Sequence, residues 1–211
     1  MKILALDTST SRVTVAFLDG KEVISQKTGG ELTGAQFHGE LLVGLIAEVL
    51  NGSKPDRIAV GIGPGPYTGL RVGITTAEVL AHAWGIEVVG IPTLSALAHG
   101  HIRRGGEKGT AILDVKRKEI ACQDFDSAGK LQGDPTLVRI TEFEKQNYSN
   151  LVGPAFVTQV LISPKVIDSS PVDAIDIALL GQDATPSAFS PLYLRQPDAA
   201  EPKPPKSVSN D

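Results

Sequence analysis

Residues 61–73 read GIGPGPYTGLRVG. A short β-rich run at 57–60 precedes this stretch, and a helical run at 74–84 follows it. Glycines at 61, 63, 65 and 69 expose backbone N–H groups and let a ligand approach the main chain. The N-terminus of the following helix adds partial positive charge. Thr68 offers a hydroxyl, and Arg71 a permanent cation with a fork of donors. Gly63, Gly65, Thr68, Gly69 and Arg71 thus form a candidate anion cradle. No Lys-Ser or Lys-Thr pair follows the last glycine, so this is not a P-loop, and the spacing is not that of a dinucleotide fingerprint. The alternative is a tight strand-to-helix turn whose glycines serve only positive φ.

Working outward, residues 2–7 (KILALD) form an apolar strand ending in an acid, and 12–18 (RVTVAFL) alternate as a second. Asp19-Gly20 is a hairpin turn into a third strand at 22–26. Residues 36–50 place Leu41, Leu42, Leu45, Ile46, Val49 and Leu50 on one helical stripe, closed by Asn51-Gly52. A strand at 58–62, the glycine loop, the helix to Trp84 and a strand at 88–91 complete the order β-β-β-α-β-α-β. That order predicts an α/β fold of ribonuclease-H-like or actin-like type. Between strands one and two lies Asp7-Thr8-Ser9-Thr10-Ser11. Its N–H groups and hydroxyls can face a phosphate, and Asp7 can reach a metal through water. The alternative is a Ser/Thr turn that only closes the hairpin.

The second part predicts paired strands at 110–115 and 119–125, a short helix at 141–146, a strand at 150–157, a helix at 172–180 and a docking segment at 187–195. Expected boundaries are an N-terminal lobe at 1–101, a smaller α/β lobe at 102–195 and a disordered tail at 196–211. The tail carries Pro197, Pro202, Pro204 and Pro205, with Val208 as its one large apolar residue.

Composition narrows the function. Among 211 residues the net charge is −4, which provides no footprint for autonomous nucleic-acid binding. The short runs Arg103-Arg104 and Lys116-Arg117-Lys118 read as solvated turns. The single cysteine, Cys122, fits a reducing compartment and reads as buried filler. The N-terminus shows no secretory or spanning segment, so a cytoplasmic protein without membrane contact is expected. His99 and His101 would diverge on a helix and lack a third ligand nearby, so no metal site is expected. No HExxH, CxxC or GxSxG pattern exists, Glu78 has no dyad partner, and no catalytic residue is assigned.

The helices at 36–50 and 74–84 carry apolar residues beyond one stripe, which calls for a cover from this fold or a partner subunit.

ILALDTSTS, the GPGPYTGLRVG loop, WGIEVVGIPTLSALA and the late PLYLR together resemble the TsaB (YeaZ) family. The likeness is strong over 2–100, weak over 110–185 and returns at 191–195. It implies an actin-like lobe with a reduced second lobe, of the sugar-kinase, Hsp70 and actin superfamily. It also implies a non-catalytic partner of TsaD, acting with the ATPase TsaE in threonylcarbamoylation of tRNA. The base modified is the adenosine beside the anticodon in tRNAs reading A-starting codons. A homodimer is expected when the partner is absent, with tRNA met only through the complex. No tightly bound cofactor is implied, although ATP or ADP can enter in the complex. Asp7, Thr8 and Ser9 join the loop residues as phosphate-type positions. Interface residues are expected at His38, Leu42, Leu45, Ala77 and Ala81, so that Ala77→Glu or Ala81→Glu should give a folded monomer.

TsaD-type proteins carry two histidines after the strand matching 88–91; Thr93 and Leu97 stand there in this chain. Neither replaces imidazole as a divalent-metal ligand. Pro66-Tyr67 stands where family members show Ser-Phe, and Pro66 removes one N–H donor. Two other readings are an ATP-dependent kinase-like enzyme using Asp7, Thr8 and the 63–71 loop, and a metallopeptidase.

Overall fold

Alternating apolar residues and the Asp19-Gly20 turn build the first hairpin. β1 (Lys2–Asp7) pairs antiparallel with β2 (Val13–Asp19), Lys2 opposite Asp19 and Asp7 opposite Thr14. β3 (Glu22–Gly29) continues the meander and runs to residue 29, three residues past the expected end. The computed structural model describes residues 1–30, 35–146, 148, 150–154, 167–168 and 171–195. The expectation for 196–211 lies outside the described residues, as do 155–157 of the strand expected at 150–157; of the rest, Leu151–Val152 are strand.

After the hairpin come α1 (Ala35–Leu50), β4 (Arg57–Gly61), α2 (Tyr67–Trp84), β5 (Glu87–Ile91) and α3 (Thr93–Arg103). The second half holds β6 (Gly109–Asp114), β7 (Glu119–Phe125), β8 (Thr136–Arg139), α4 (Ile140–Phe143), β9 (Leu151–Val152), β10 (Ile167–Asp168) and α5 (Ala174–Asp183). The first sheet has the order β3-β2-β1-β4-β5, with β1, β4 and β5 parallel. The second has the order β10-β9-β6-β7-β8. Counted from β6, that is the same 3-2-1-4-5 order with the same parallel and antiparallel pairs. The chain is thus a tandem repeat of one α/β unit, the actin-like arrangement, and the second copy is reduced because β9 and β10 are two residues each.

Both faces of the central strands β1, β2 and β4 are buried while the edge strand β3 is largely exposed, and the period of two along the strands sorts the buried side chains. Leu4, Leu6, Val15 and Phe17 face the α1–α2 layer, while Ile3, Ala5, Ala16 and Leu18 face the layer of α3 and α5. The cut expected at residue 101 separates the sheets but not the helices. α5 belongs in sequence to the second half yet packs on the first sheet, where Gly181 sits against Ala59 and Ile3. Residues 187–195 also return: Leu192 N donates to Ile62 O at 2.8 Å, and Phe189 lies on Gly90. The docking segment expected at 187–195 is therefore present.

α3 has no counterpart in the sequence reading. Pro92 starts it and small residues fill it, so its apolar stripe is faint. On this helix His99 and His101 diverge, as expected. His99 Nδ1 lies 2.8 Å from Asp176 Oδ1, and His101 stands edge-on to Phe125 at 5.8 Å. Asp176 is 1% exposed and also accepts from Arg103 Nε at 2.9 Å. Burial alone would raise its carboxyl, but the hydrogen bonds and charges of His99 and Arg103 together hold it below the ordinary value. Arg103 and Arg104 are therefore partners of a buried carboxylate that ties α3 to α5, not a solvated turn. Among the described residues no helix is long and apolar enough to cross a membrane.

Candidate functional site

β1 and β4 are parallel neighbours, so the turn after Asp7 and the loop after Gly61 leave the same edge of the sheet side by side. In open α/β sheets that edge is where ligands bind. Here the two segments bind each other. Asp7, Thr8 and Ser9 are 0–1% exposed. Asp7 Oδ1 accepts from Ser9 N at 2.7 Å and Ser9 Oγ at 2.6 Å, and Oδ2 accepts from Thr93 Oγ1 at 2.9 Å. Thr8 Oγ1 donates to Gly69 O at 2.7 Å, and Gly63 N donates to Thr93 Oγ1 at 3.2 Å.

The glycines are needed for that contact. A Cβ at Gly61 would overlap the Asp7 carboxylate, at Gly65 the Ser9 carbonyl, at Gly69 the Thr8 carbonyl and at Gly73 the Thr8 hydroxyl. Of the four loop glycines noted in the sequence, only Gly63 has positive φ, at 95°. The expected open cradle is corrected accordingly: its glycines admit the chain's own first turn. α2 also begins seven residues earlier than expected, at Tyr67, so Thr68, Gly69 and Arg71 are helical. Thr68 and Arg71 are exposed. The Arg71 guanidinium sits 4.2 Å over the Tyr67 ring, and Nε donates to the Tyr193 hydroxyl at 3.2 Å.

Burial pushes the Asp7 carboxyl above its ordinary value despite three hydrogen bonds that favour the charged form. The folded chain holds this proton more tightly than the unfolded chain. Asp7 therefore subtracts stability as pH rises from the ordinary carboxylate range to its own raised value, and adds no slope above it. Asp7→Asn should flatten that part of a stability-versus-pH curve measured by denaturant unfolding, and an unchanged slope would overturn the assignment.

The interface residues expected from the sequence need the second correction. Leu42, Leu45, Ala77 and Ala81 are 0–8% exposed and form part of the core between α1, α2 and the first sheet. The two helices cover each other and the sheet, so these side chains are not available to a partner. Their outer faces present Val43 at 61% exposure and Val79 at 60%. His38 falls on α1, and its side chain lies outside those described.

A cleft of about 400 Å³ opens beside the glycine loop, lined by Pro64–Tyr67, the β6–β7 turn and residues 192–195. Tyr67 and Tyr193 stack in its wall with centroids 4.9 Å apart, and Arg195 pairs with Glu119 across it. The β6–β7 turn is unusual: Lys116, Arg117 and Lys118 have φ of 69°, 58° and 61°. Three successive non-glycine residues in the left-handed region cost about 1–2 kcal/mol each. The sequence marks Tyr193 and Arg195 only through PLYLR, and this turn only as the short basic run Lys116-Arg117-Lys118 read as solvated; nothing local signals its left-handed backbone.

A family model described as TsaD, tRNA N6-adenosine threonylcarbamoyltransferase, matches residues 23–155. The tRNA threonylcarbamoyladenosine biosynthesis protein TsaB of Escherichia coli (strain K12) is 29% identical over 144 residues, covering 64% of this chain and 61% of that protein. A Pseudomonas aeruginosa protein, whose crystal structure is described as similar to peptidase YEAZ, superposes with a TM-score of 0.74 at 25% identity, covering 92% of this chain and 99% of that one. This chain belongs to the TsaB (YeaZ) family. An uncharacterized Mycobacterium tuberculosis protein, Rv3421c, is 29% identical over 203 residues, 93% of each chain. Within the TsaB frame, Thr93 is a fully buried structural hydroxyl bonded to Asp7 and Gly63, and Leu97 is 1% exposed in the core. These are the two positions where the resemblance places histidines in TsaD-type proteins.

Proposed function

We propose that this TsaB-family chain is a non-catalytic subunit in the biosynthesis of threonylcarbamoyladenosine in tRNA. It binds a TsaD-type subunit, holds it in its productive conformation, and works with a TsaE-type ATPase. The base modified is the adenosine beside the anticodon in tRNAs reading A-starting codons, and tRNA is met through the complex. The observation that carries the non-catalytic reading is Thr93. Its hydroxyl is committed to Asp7 at 2.9 Å and to Gly63 N at 3.2 Å, where a metal-binding imidazole would be needed. In this reading the two phosphate-type loops have become packing elements, and ATP or ADP enters with the partner subunits. The outer faces of α1 and α2, around Val43 and Val79, form the docking surface and support a homodimer when the partner is absent.

Size-exclusion chromatography with light scattering, on this chain alone and mixed with the TsaD-type protein of the same organism, tests the reading. A one-to-one complex replacing a homodimer is expected. No complex, with or without ATP and the TsaE-type protein, would remove the proposed role. Saturable ATP hydrolysis by the lone chain would favour the kinase-like alternative.

A further inference from the structure

We infer that Asn51-Gly52, at the C-terminal end of α1, is a site of spontaneous covalent modification through a succinimide. The chain has asparagine at 51, 147, 150 and 210, and of these only Asn51 is followed by glycine. Loss of the Gly52 amide proton makes its nitrogen a nucleophile toward Cγ of the preceding side chain, and glycine leaves that approach unhindered. Both residues are exposed in the turn between α1 and β4. Asn51 has a φ of 43° and Gly52 a φ of 80°. A Cβ built at Gly52 would meet nothing within 4 Å, so the peptide joining the two has room to rotate into the attacking geometry. Among the described residues, neither the Asn51 side-chain amide nor Gly52 N has a hydrogen-bond partner. Neither reacting group must therefore be released first.

Asn150 supplies the contrast within the same chain. Its backbone is also left-handed, with a φ of 51°. Its Nδ2, however, donates to Lys108 O at 3.1 Å, and the next residue is Leu151, held in the second sheet opposite Thr110. The free amide and the following glycine therefore define the site, not the left-handed backbone. In the reaction Gly52 N bonds to Asn51 Cγ, the Cγ–Nδ2 bond breaks, and Nδ2 leaves as ammonia with the amide proton. Water then opens the ring. Addition at the former side-chain carbonyl gives aspartate. Addition at the backbone carbonyl gives isoaspartate, with the main chain routed through the side chain. Either product places a carboxylate at the C-terminal end of α1, where the helix dipole disfavours negative charge. Isoaspartate also lengthens the main chain inside a cap that Ser53 N closes by donating to Leu50 O at 2.7 Å. Val49 and Leu50 are buried, so the disturbance reaches the core. The site does not depend on the proposed partner reading.

The folded full chain is aged in warm, mildly alkaline buffer and followed by mass spectrometry of its proteolytic peptides. A gain of about 1 Da is expected at Asn51, at least about tenfold faster than at Asn150. The altered peptide should separate chromatographically into aspartate and isoaspartate forms. Gly52→Ala should slow the gain at least about tenfold, because its side chain hinders the nucleophile. A left-handed φ strains alanine, so Asn51→Asp serves as a second variant. It carries the new charge without the rerouted main chain, and the aged chain should melt below it. The inference is overturned by an absence of gain at Asn51 in the folded chain, by equal rates at Asn51 and Asn150, or by a Gly52→Ala chain that reacts as fast. A fully converted chain that melts like the fresh one would overturn the effect on α1.

Discussion

An Ala77→Glu chain is expected to lose its fold rather than its partner. Ala77 is fully buried between α2 and the first sheet, with Leu6, Leu45 and Ile74 in the same cluster. A glutamate there must bury a charge without a counter-ion and displace close-packed neighbours. Such substitutions remove about 4 kcal/mol or more, a large part of the roughly 5–15 kcal/mol that holds a domain together. For a chain of this size the melting temperature should fall by about 10 °C or more. Val79→Glu, two residues on, has the opposite profile. Val79 is 60% exposed, so melting of the monomer should hold while self-association and binding of the TsaD-type partner are lost. Circular-dichroism melts and light scattering on the pair decide the matter. A stable, folded Ala77→Glu chain would mean that α2 does not pack by this face. Intact complexes with Val79→Glu would place the docking surface elsewhere.

The second large effect is a reversal of sign between two helical glycines. Propensity alone says that alanine in place of either Gly44 or Gly69 stabilises its helix by about 1 kcal/mol. At Gly44, on the outer face of α1, an added Cβ meets nothing within 4 Å, so the gain should appear in full. At Gly69 the added Cβ runs into the carbonyl oxygen of Thr8, backbone of a turn held at the sheet edge, whose hydroxyl also donates to Gly69 O. The first turn of α2 must then lift from strand one, a loss of about 1–3 kcal/mol. Both variants are best measured in the Val79→Glu background, because association would otherwise raise the apparent stability of either chain. A rise in melting for Gly69→Ala would show that the turn yields without loss, and the close-approach account of the glycine loop would fall with it.

These contrasts mark where sequence reading stopped. The strands and turns of the first sheet were legible because alternation and the Asp19-Gly20 and Asn51-Gly52 signals act over a few residues. The apolar stripe of α1 was legible for the same reason, and its residues 42, 45, 46, 49 and 50 are all buried. What the stripe faces was not legible. Periodicity reports that one side of a helix is apolar, not whether its own sheet or another subunit covers it. Small residues at 77 and 81 fit either case, and only the packing of α2 on β4 and α1 distinguishes them.

The sequence by itself determined the α/β class, the order of elements from β1 to β5, the family, and the positions where glycine is required. The tertiary structure alone decided what those glycines admit, which side of α2 is core, that α5 returns to the first sheet, and that a strained cationic turn meets Tyr193 and Arg195 across a cleft. The reason is range. Conformational preference and apolar period are properties of neighbouring residues, whereas the contact of Thr8 with Gly69 spans 61 positions and that of Arg71 with Tyr193 spans 122. Contacts of that kind exist only once the first sheet has formed and brought the turn after β1, the start of α2 and the returning C-terminal segment together.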